Sequence, residues 1–373
     1  MAIDRFDENS NINMAYASVD VRNTKTENQN YTVFYDQEPF FDFTEQMLAD
    51  PRGIPVHDNN DLAWPKYRRS LTNRNHTIIA NSEISEAKDK LMSHFRFLDW
   101  YYFSHGFIAL DWFRDIAYLP IDKSASFDKV FIMFNHLTSK YRSYRLGLVA
   151  DIMNRGLLDK GYVSLPLEDK YHGSFMNEIL DKDSLLSLEH KKLVVTTIKK
   201  LSDPLIIDDN QVDGSYSAKI NLKENQRAFW HIITETNFYL PKLHLTEKVF
   251  KPIVSFRPFI LACAPNNLKY LRSYGFKTFS DFIDESYDAE TDNTKRMVMI
   301  VNEIERLCKL SPAQQRDMFE AMKPILEHNF NHFYGNFRKI IVDEMVYGFG
   351  EMIDGIIDDS RVDYAAVSRR LIL

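Results

Sequence analysis

No stretch of this chain reaches 18 consecutive apolar residues, so a membrane-spanning helix is not expected. Cysteine is nearly absent, with Cys263 and Cys308 the whole supply in 373 residues. Two thiols cannot build a disulfide framework, and they fit a reducing compartment. Glycine and proline are sparse, at 12 and 13 residues, which excludes collagen-like and low-complexity classes. The sequence has no phosphate-binding P-loop, no Gly-x-Gly-x-x-Gly fingerprint and no Gly-x-Ser-x-Gly elbow. Three common chemistries therefore lack their marker residues. The histidines, His57, His76 and His94 among them, are scattered without metal-ligand spacing, and no metal site is expected.

Excess positive charge is missing too. A formal charge of −7 argues against broad coating of nucleic acid, although it leaves room for a local basic patch. The opening "MAIDRFDENSNINMAYASVD" is acidic and polar, the opposite of a secretory signal. A soluble, cytoplasmic protein is the expectation.

What the chain does have is apolar and aromatic material: 45% and 13% of residues, enough for sizeable cores. Its length suggests two domains or one large α/β unit. "YTVFYDQEPFF" (31–41) and "HTIIANSE" (76–83) read as strands, and "SEAKDKLMSHF" as a helix. Pro39 ends the first strand, which sets Glu38 at a carboxyl edge, where open α/β sheets place ligand groups. An aromatic-dense segment runs to Pro120, and "IDKSASFD" makes a junction.

The pattern then restarts. "KVFIMFNH" (129–136) reads as a buried strand. "SKYRSYRLGLVADIMNRGLL" reads as an amphipathic helix with Leu146, Val149, Ile152 and Met153 inward, and "KGYVSL" (160–165) as the next strand. That βαβ unit predicts a parallel sheet. "RAFWHIITET" (227–236) and "RPFILAC" are further strands on either side of a helix at Thr246-Glu247-Lys248. "SPAQQRDMFEAM" carries a helix-start signature. The expected domains are 1–125 and 126–345. A tail, 346–373, packs back on the first, and the default active site lies between the domains.

Glu247-Lys248, Arg142 and Arg145 all fall near helix starts. Free N–H groups and the positive dipole end attract anions there; a Lys adds a point charge and an Arg a bidentate fork. Ordinary solvated charges are the alternative.

"RAFWHIITETNFYLPKLHLTEKVFKPIVSFRPFIL" resembles the donor-binding signature of the α-1,3-fucosyltransferases. Ile233-Thr234-Glu235-Thr236 stands for that signature's first element and Leu245-Thr246-Glu247-Lys248 for its second. Upstream, "FNHLTSKYRSYRLGLVADI" is similar to the segment that opens the same domain. "VFYDQEPFFDF" and "FLDWYYFSHGFIALDWF" echo two N-terminal segments, in the same order. The longer string also resembles glycosyltransferase-like proteins of large bacteriophages.

The resemblance implies a GT-B fold, two Rossmann-like domains facing a central cleft. It also implies inverting transfer from a nucleoside-diphosphate sugar to an acceptor hydroxyl, with no other cofactor. Glu38 would be the base. Asn135, Arg142 or Arg145, Glu235, Thr246, Glu247 and Lys248 would hold the donor, their cations making a metal unnecessary. Leu243-His244 replaces an Asp-Tyr of the family, so the nucleotide need not be GDP. On the acceptor side, His105 and Asp111 could line a glycan site or merely pack. Lys66, Arg68 and Arg69, in "WPKYRRSLTNRNH", could be solvated or could grip DNA phosphates. Transfer to hydroxylated DNA bases and non-catalytic binding of a sugar nucleotide are the competing expectations.

Overall fold

The computed structural model describes residues 12–16, 31–35, 76–95, 98–138, 140–169, 173–174, 185–207, 218 and 220–357. The chain divides into two compact units, Met1–His105 with Lys339–Leu373, and Gly106–Arg338. Both are α/β.

The first unit carries strands β1 (Ile12–Tyr16), β2 (Tyr31–Tyr35), β3 (His76–Asn81) and β4 (Leu98–Tyr101). They form one parallel sheet in the order β1-β2-β3-β4. Helix α1 (Glu86–Phe95) crosses from β3 to β4, and helix α2 (Ser104–Trp112) follows β4. Lys88 of α1 and Asp99 of β4 form a buried ion pair at 2.8 Å. Burial pushes the Asp99 carboxyl up, with the Lys88 ammonium opposing it.

The second unit contains β5 (Lys129–Met133), helix α3 (Tyr144–Asn154) and β6 (Gly161–Val163). A two-stranded antiparallel ribbon, β7 (Glu168–Asp169) with β8 (Gly173–Ser174), and helix α4 (Leu188–Thr196) follow. Next come a short helix α5 (Leu222–Asn225), β9 (Ala228–Thr234), helix α6 (Phe250–Val254) and β10 (Phe259–Ala262). Helices α7 (Asn267–Ser273), α8 (Asn293–Cys308) and α9 (Pro312–His332) complete it. The four long strands form a second parallel sheet, in the order β10-β9-β5-β6.

Every residue of β9 is buried, as expected of a central strand in a parallel sheet covered on both faces. Helix α3 departs from the amphipathic expectation. Leu146, Val149 and Ile152 are buried and Met153 half-buried, but so is the rest of Tyr144–Ile152. The reason is that α3 packs against both α4 and α8. Gly147 permits this, since a Cβ there would lie 2.8 Å from the Met297 sulfur and 3.3 Å from the His190 ring.

Helix α9 opens with a full capping box: Ser311 accepts from the Gln314 N–H, and the Gln314 side chain accepts from the Ser311 N–H. It passes through a π-turn at Phe333–Phe337 into α10 (Arg338–Ile357). The extra residue per turn brings Phe333 and Phe337 each within 5.2 Å of the Phe250 ring of α6. Helix α10 is tied to the end of β4: the Trp100 indole N–H donates to the Met345 carbonyl (3.0 Å), and the Glu344 carboxylate accepts from the Phe103 N–H (2.7 Å).

Buried His231 in β9 yields a pH prediction. Its Nε2 is 2.7 Å from the Asn225 carbonyl, and burial pulls its pKa down to about 4. The folded state thus stays neutral where the unfolded imidazole takes up a proton, between about pH 6.5 and 4. The stability tied to this histidine is complete above pH 6.5 and lost on acidification through that window. In urea titrations, His231→Gln should remove about one proton's worth of pH dependence, ~1.4 kcal/mol per pH unit.

Candidate functional site at the carboxyl edge of the second sheet

From β5 the chain crosses through α3 to β6, on one side of the sheet. From β9 it crosses through α6 to β10, on the other. The order therefore reverses between β5 and β9. In open parallel sheets, ligands bind outside the strand carboxyl ends at such a switch point, because the two outgoing loops diverge and leave a crevice. The loops here are 134–143, after β5, and 235–246, after β9.

Both loops are largely buried. Buried main chain without a ladder needs partners for its N–H and C=O groups, and side chains supply them. Arg145, 3% exposed, donates through Nη1 to the Leu137 carbonyl (2.7 Å) and through Nη2 to those of Thr234 (2.7 Å) and Glu235 (3.1 Å). The neighbouring Tyr144 hydroxyl donates to the Glu235 carbonyl at 2.5 Å. Burial raises its pKa far above the usual phenol range, with the Arg145 guanidinium opposing the rise. Asn135 spans three strands. Its amide N–H donates to the Ser164 carbonyl beyond β6 (3.0 Å), and its oxygen accepts from the Thr234 hydroxyl of β9 (3.0 Å).

Farther along the loop, the Arg296 guanidinium of α8 donates to the Cys263 carbonyl (3.1 Å) and to that of Phe238. Asn267, at the start of α7, accepts from the His244 N–H (3.0 Å) and donates to the Lys242 carbonyl (3.0 Å). The Leu243-His244 stretch is thereby pinned in place.

At the loop's end sits the chemistry. Glu235 is fully buried. Its Oε1 accepts from the Thr246 N–H (3.2 Å), and its Oε2 accepts from the Thr246 hydroxyl (2.7 Å) and the Thr236 N–H (3.1 Å). Thr246 caps the 3₁₀ turn Glu247–Val249 that leads into α6. The Lys248 ammonium lies 3.0 Å from the Thr246 hydroxyl, 3.4 Å from that of Thr236 and 3.3 Å from Glu247 Oε1. Lys248 keeps 31% of its side chain exposed, while Glu247 keeps 5%. Lysine is thus the group of this network that reaches solvent.

Six of the expected donor residues, Asn135, Arg145, Glu235, Thr246, Glu247 and Lys248, therefore meet at one sheet edge. Arg142 stands in the 3₁₀ turn Lys140–Arg142 of the same loop, half-buried. Since the Arg145 guanidinium donates to three carbonyls, Arg142 is the arginine of the pair with exposure left for a ligand. His105 is buried near the start of α2, away from this loop pair in sequence and in the other unit. Asp111 is exposed and paired with Arg114. Glu38, Lys66, Arg68 and Arg69 lie outside the described residues. Sequence reading missed Tyr144, Thr234, Thr236, Asn267 and Arg296. Thr234 and Thr236 stand in the quoted signature without an assigned role, and the Asn266-Asn267 pair at the start of α7 is the only other signal.

A cavity of about 480 Å³ lies at the opposite, amino-terminal edge of the sheet, lined by Phe127, Lys129, Asp159, Lys160, Cys308 and Arg316 among others. Two of its cations are already engaged, Lys160 with the Asp159 carboxylate and Lys129 with the Asp159 carbonyl. The chemistry of the site therefore rests on the carboxyl edge, not on this cavity. Among the described residues, no group of three or more His, Cys, Asp or Glu side chains could hold a metal ion, and no helix is long and apolar enough to cross a membrane. No protein-family model, curated protein or solved structure matches the chain.

Arg145→Met should take its donor from the Leu137 and Thr234 carbonyls, leave the Glu235 carbonyl with the Tyr144 hydroxyl alone, and lower stability by about 3 kcal/mol, measured as a reduced urea midpoint with an unchanged slope.

Proposed function

We propose that the chain is an inverting glycosyltransferase of GT-B type that moves a sugar from a nucleoside diphosphate to an acceptor hydroxyl. One observation carries the reading: a half-buried lysine that reaches solvent, Lys248, stands on a buried polar network at the switch point between β5 and β9. A parallel-sheet edge of that kind suits a phosphorylated ligand. The resemblance of 227–261 to the fucosyltransferase donor signature supports the same reading.

In this scheme the acceptor oxygen bonds to the anomeric carbon as the bond to the diphosphate oxygen breaks, inverting that carbon. Glu38 takes the acceptor proton. The electron pair leaves with the diphosphate, whose charge Lys248 and Arg142 stabilise; such stabilisation counts most where charge develops in the transition state. Glu247 accepts hydrogen bonds from ribose or sugar hydroxyls. A glycan is the proposed acceptor.

A panel of nucleoside-diphosphate sugars should contain one that raises the unfolding temperature, by an amount equivalent to ~2.7 kcal/mol at 100 times its Kd. Silence across the panel would sink the proposal. Lys248→Met should weaken that binding by ~10–100-fold, the worth of a charge-assisted hydrogen bond. Glu38→Gln should keep donor affinity and lower kcat by ~10²–10⁴-fold; unchanged transfer would remove Glu38 as the base.

A further inference from the structure

We infer that Glu235 and Thr246 are positioning residues that aim Lys248 at the donor diphosphate, and that Glu235 itself touches no ligand. The inference rests on the donor-site reading above.

The argument turns on the direction of a single proton. A threonine hydroxyl has one hydrogen to give and two lone pairs to receive with. Glu235, acceptor-only when ionised, takes the Thr246 hydroxyl proton at 2.7 Å. Both lone pairs of that oxygen are then free for donors, and the donors present are the Lys248 ammonium at 3.0 Å and the Lys248 N–H at 3.4 Å. The relay therefore runs from ammonium to hydroxyl to carboxylate. It fixes one N–H of the ammonium on the Thr246 hydroxyl, while the other two face the longer contacts to the Thr236 hydroxyl (3.4 Å) and Glu247 Oε1 (3.3 Å), which a diphosphate oxygen would replace. The Glu235 carboxylate is in turn held by the Thr246 and Thr236 N–H groups. With every oxygen of Glu235 occupied and no exposed surface, no edge of it is left for a nucleotide or sugar.

A neutral amide cannot reproduce this pattern. In Glu235→Gln, one rotamer points the NH₂ at the Thr246 N–H. The other points it at the Thr236 N–H and the Thr246 hydroxyl, turning that hydroxyl's proton toward the ammonium. Either way donor faces donor. Thr246→Val removes the hydroxyl at constant shape, whereas Thr246→Ser keeps it.

The test measures Kd for GDP, UDP and inorganic pyrophosphate by calorimetry on the full chain, well below the unfolding temperature. Wild type is compared with Lys248→Met, Thr246→Val, Thr246→Ser and Glu235→Gln. The expected result is a loss of ~10-fold or more for Thr246→Val and Glu235→Gln, with Thr246→Ser close to wild type. A purely structural role would lower the unfolding temperature of Thr246→Val and leave its Kd unchanged. Wild-type affinity in Thr246→Val beside a loss in Lys248→Met overturns the inference and leaves the donor reading standing. A Thr246→Ser variant as weak as Thr246→Val also overturns it, since the hydroxyl would not be what matters. A wild-type chain that binds none of the three probes overturns the donor reading and this inference with it. Should Glu235→Gln fail to fold, the Thr246 pair decides alone.

Discussion

The second unit depends on how one loop satisfies its main chain. Residues 235–246 leave β9, run mostly buried and must deliver Lys248 to the mouth of the sheet. The Glu235 N–H donates to the Ala262 carbonyl of β10 and the Asn237 carbonyl accepts from the Ala264 N–H, both at 3.1 Å; the other enclosed N–H and C=O groups need further partners or cost free energy comparable to a lost hydrogen bond. The Arg145 guanidinium meets this need at the start of the loop, Arg296 in its middle, Asn267 near its end, and the Glu235 carboxylate at both ends together. Buried cations suit the role because they donate several hydrogen bonds in fixed directions and compete little with water. A loop held this way is rigid, and a rigid loop is what a site needs if a single ammonium is to be aimed.

Topology supplies the other half. The crossovers from β5 and β9 leave the sheet in opposite directions. Asn135 and Arg145 both reach from the β5 side to Thr234 and Glu235. The Arg145 Nη atoms and the Asn135 amide are engaged there, while Lys248 and Arg142 are half-buried.

Much of this architecture could be read from the sequence. "RAFWHIITET" reads as a buried strand, and β9 spans Ala228–Thr234; its run of apolar β-formers bounded by polar residues has no competing period. The Ser-Pro start of α9 is explicit in residue chemistry and appears as a full capping box. The all-round burial of α3 was not legible, because it depends on α4 and α8, remote in sequence. The division of labour within the site was hidden for the same reason. Arg145 and Arg142 look alike three residues apart, and only the positions of the Leu137, Thr234 and Glu235 carbonyls make Arg145 the staple and leave Arg142 half-buried. Glu235 resembled a ligand contact by its place at a strand end. Its partner Thr246 lies 11 residues on, a separation at which neither helix nor strand periodicity speaks.

The central claim is that a nucleoside diphosphate binds where the loops after β5 and β9 meet. Hydrogen–deuterium exchange, with and without saturating GDP or UDP, tests this most directly, because it reports where binding orders the chain. The account predicts added protection in peptides covering 134–145 and 234–250, and little change around 125–130 and 308–316, at the opposite edge. Protection at that opposite edge, or bound nucleotide that leaves both loops unchanged, would contradict it.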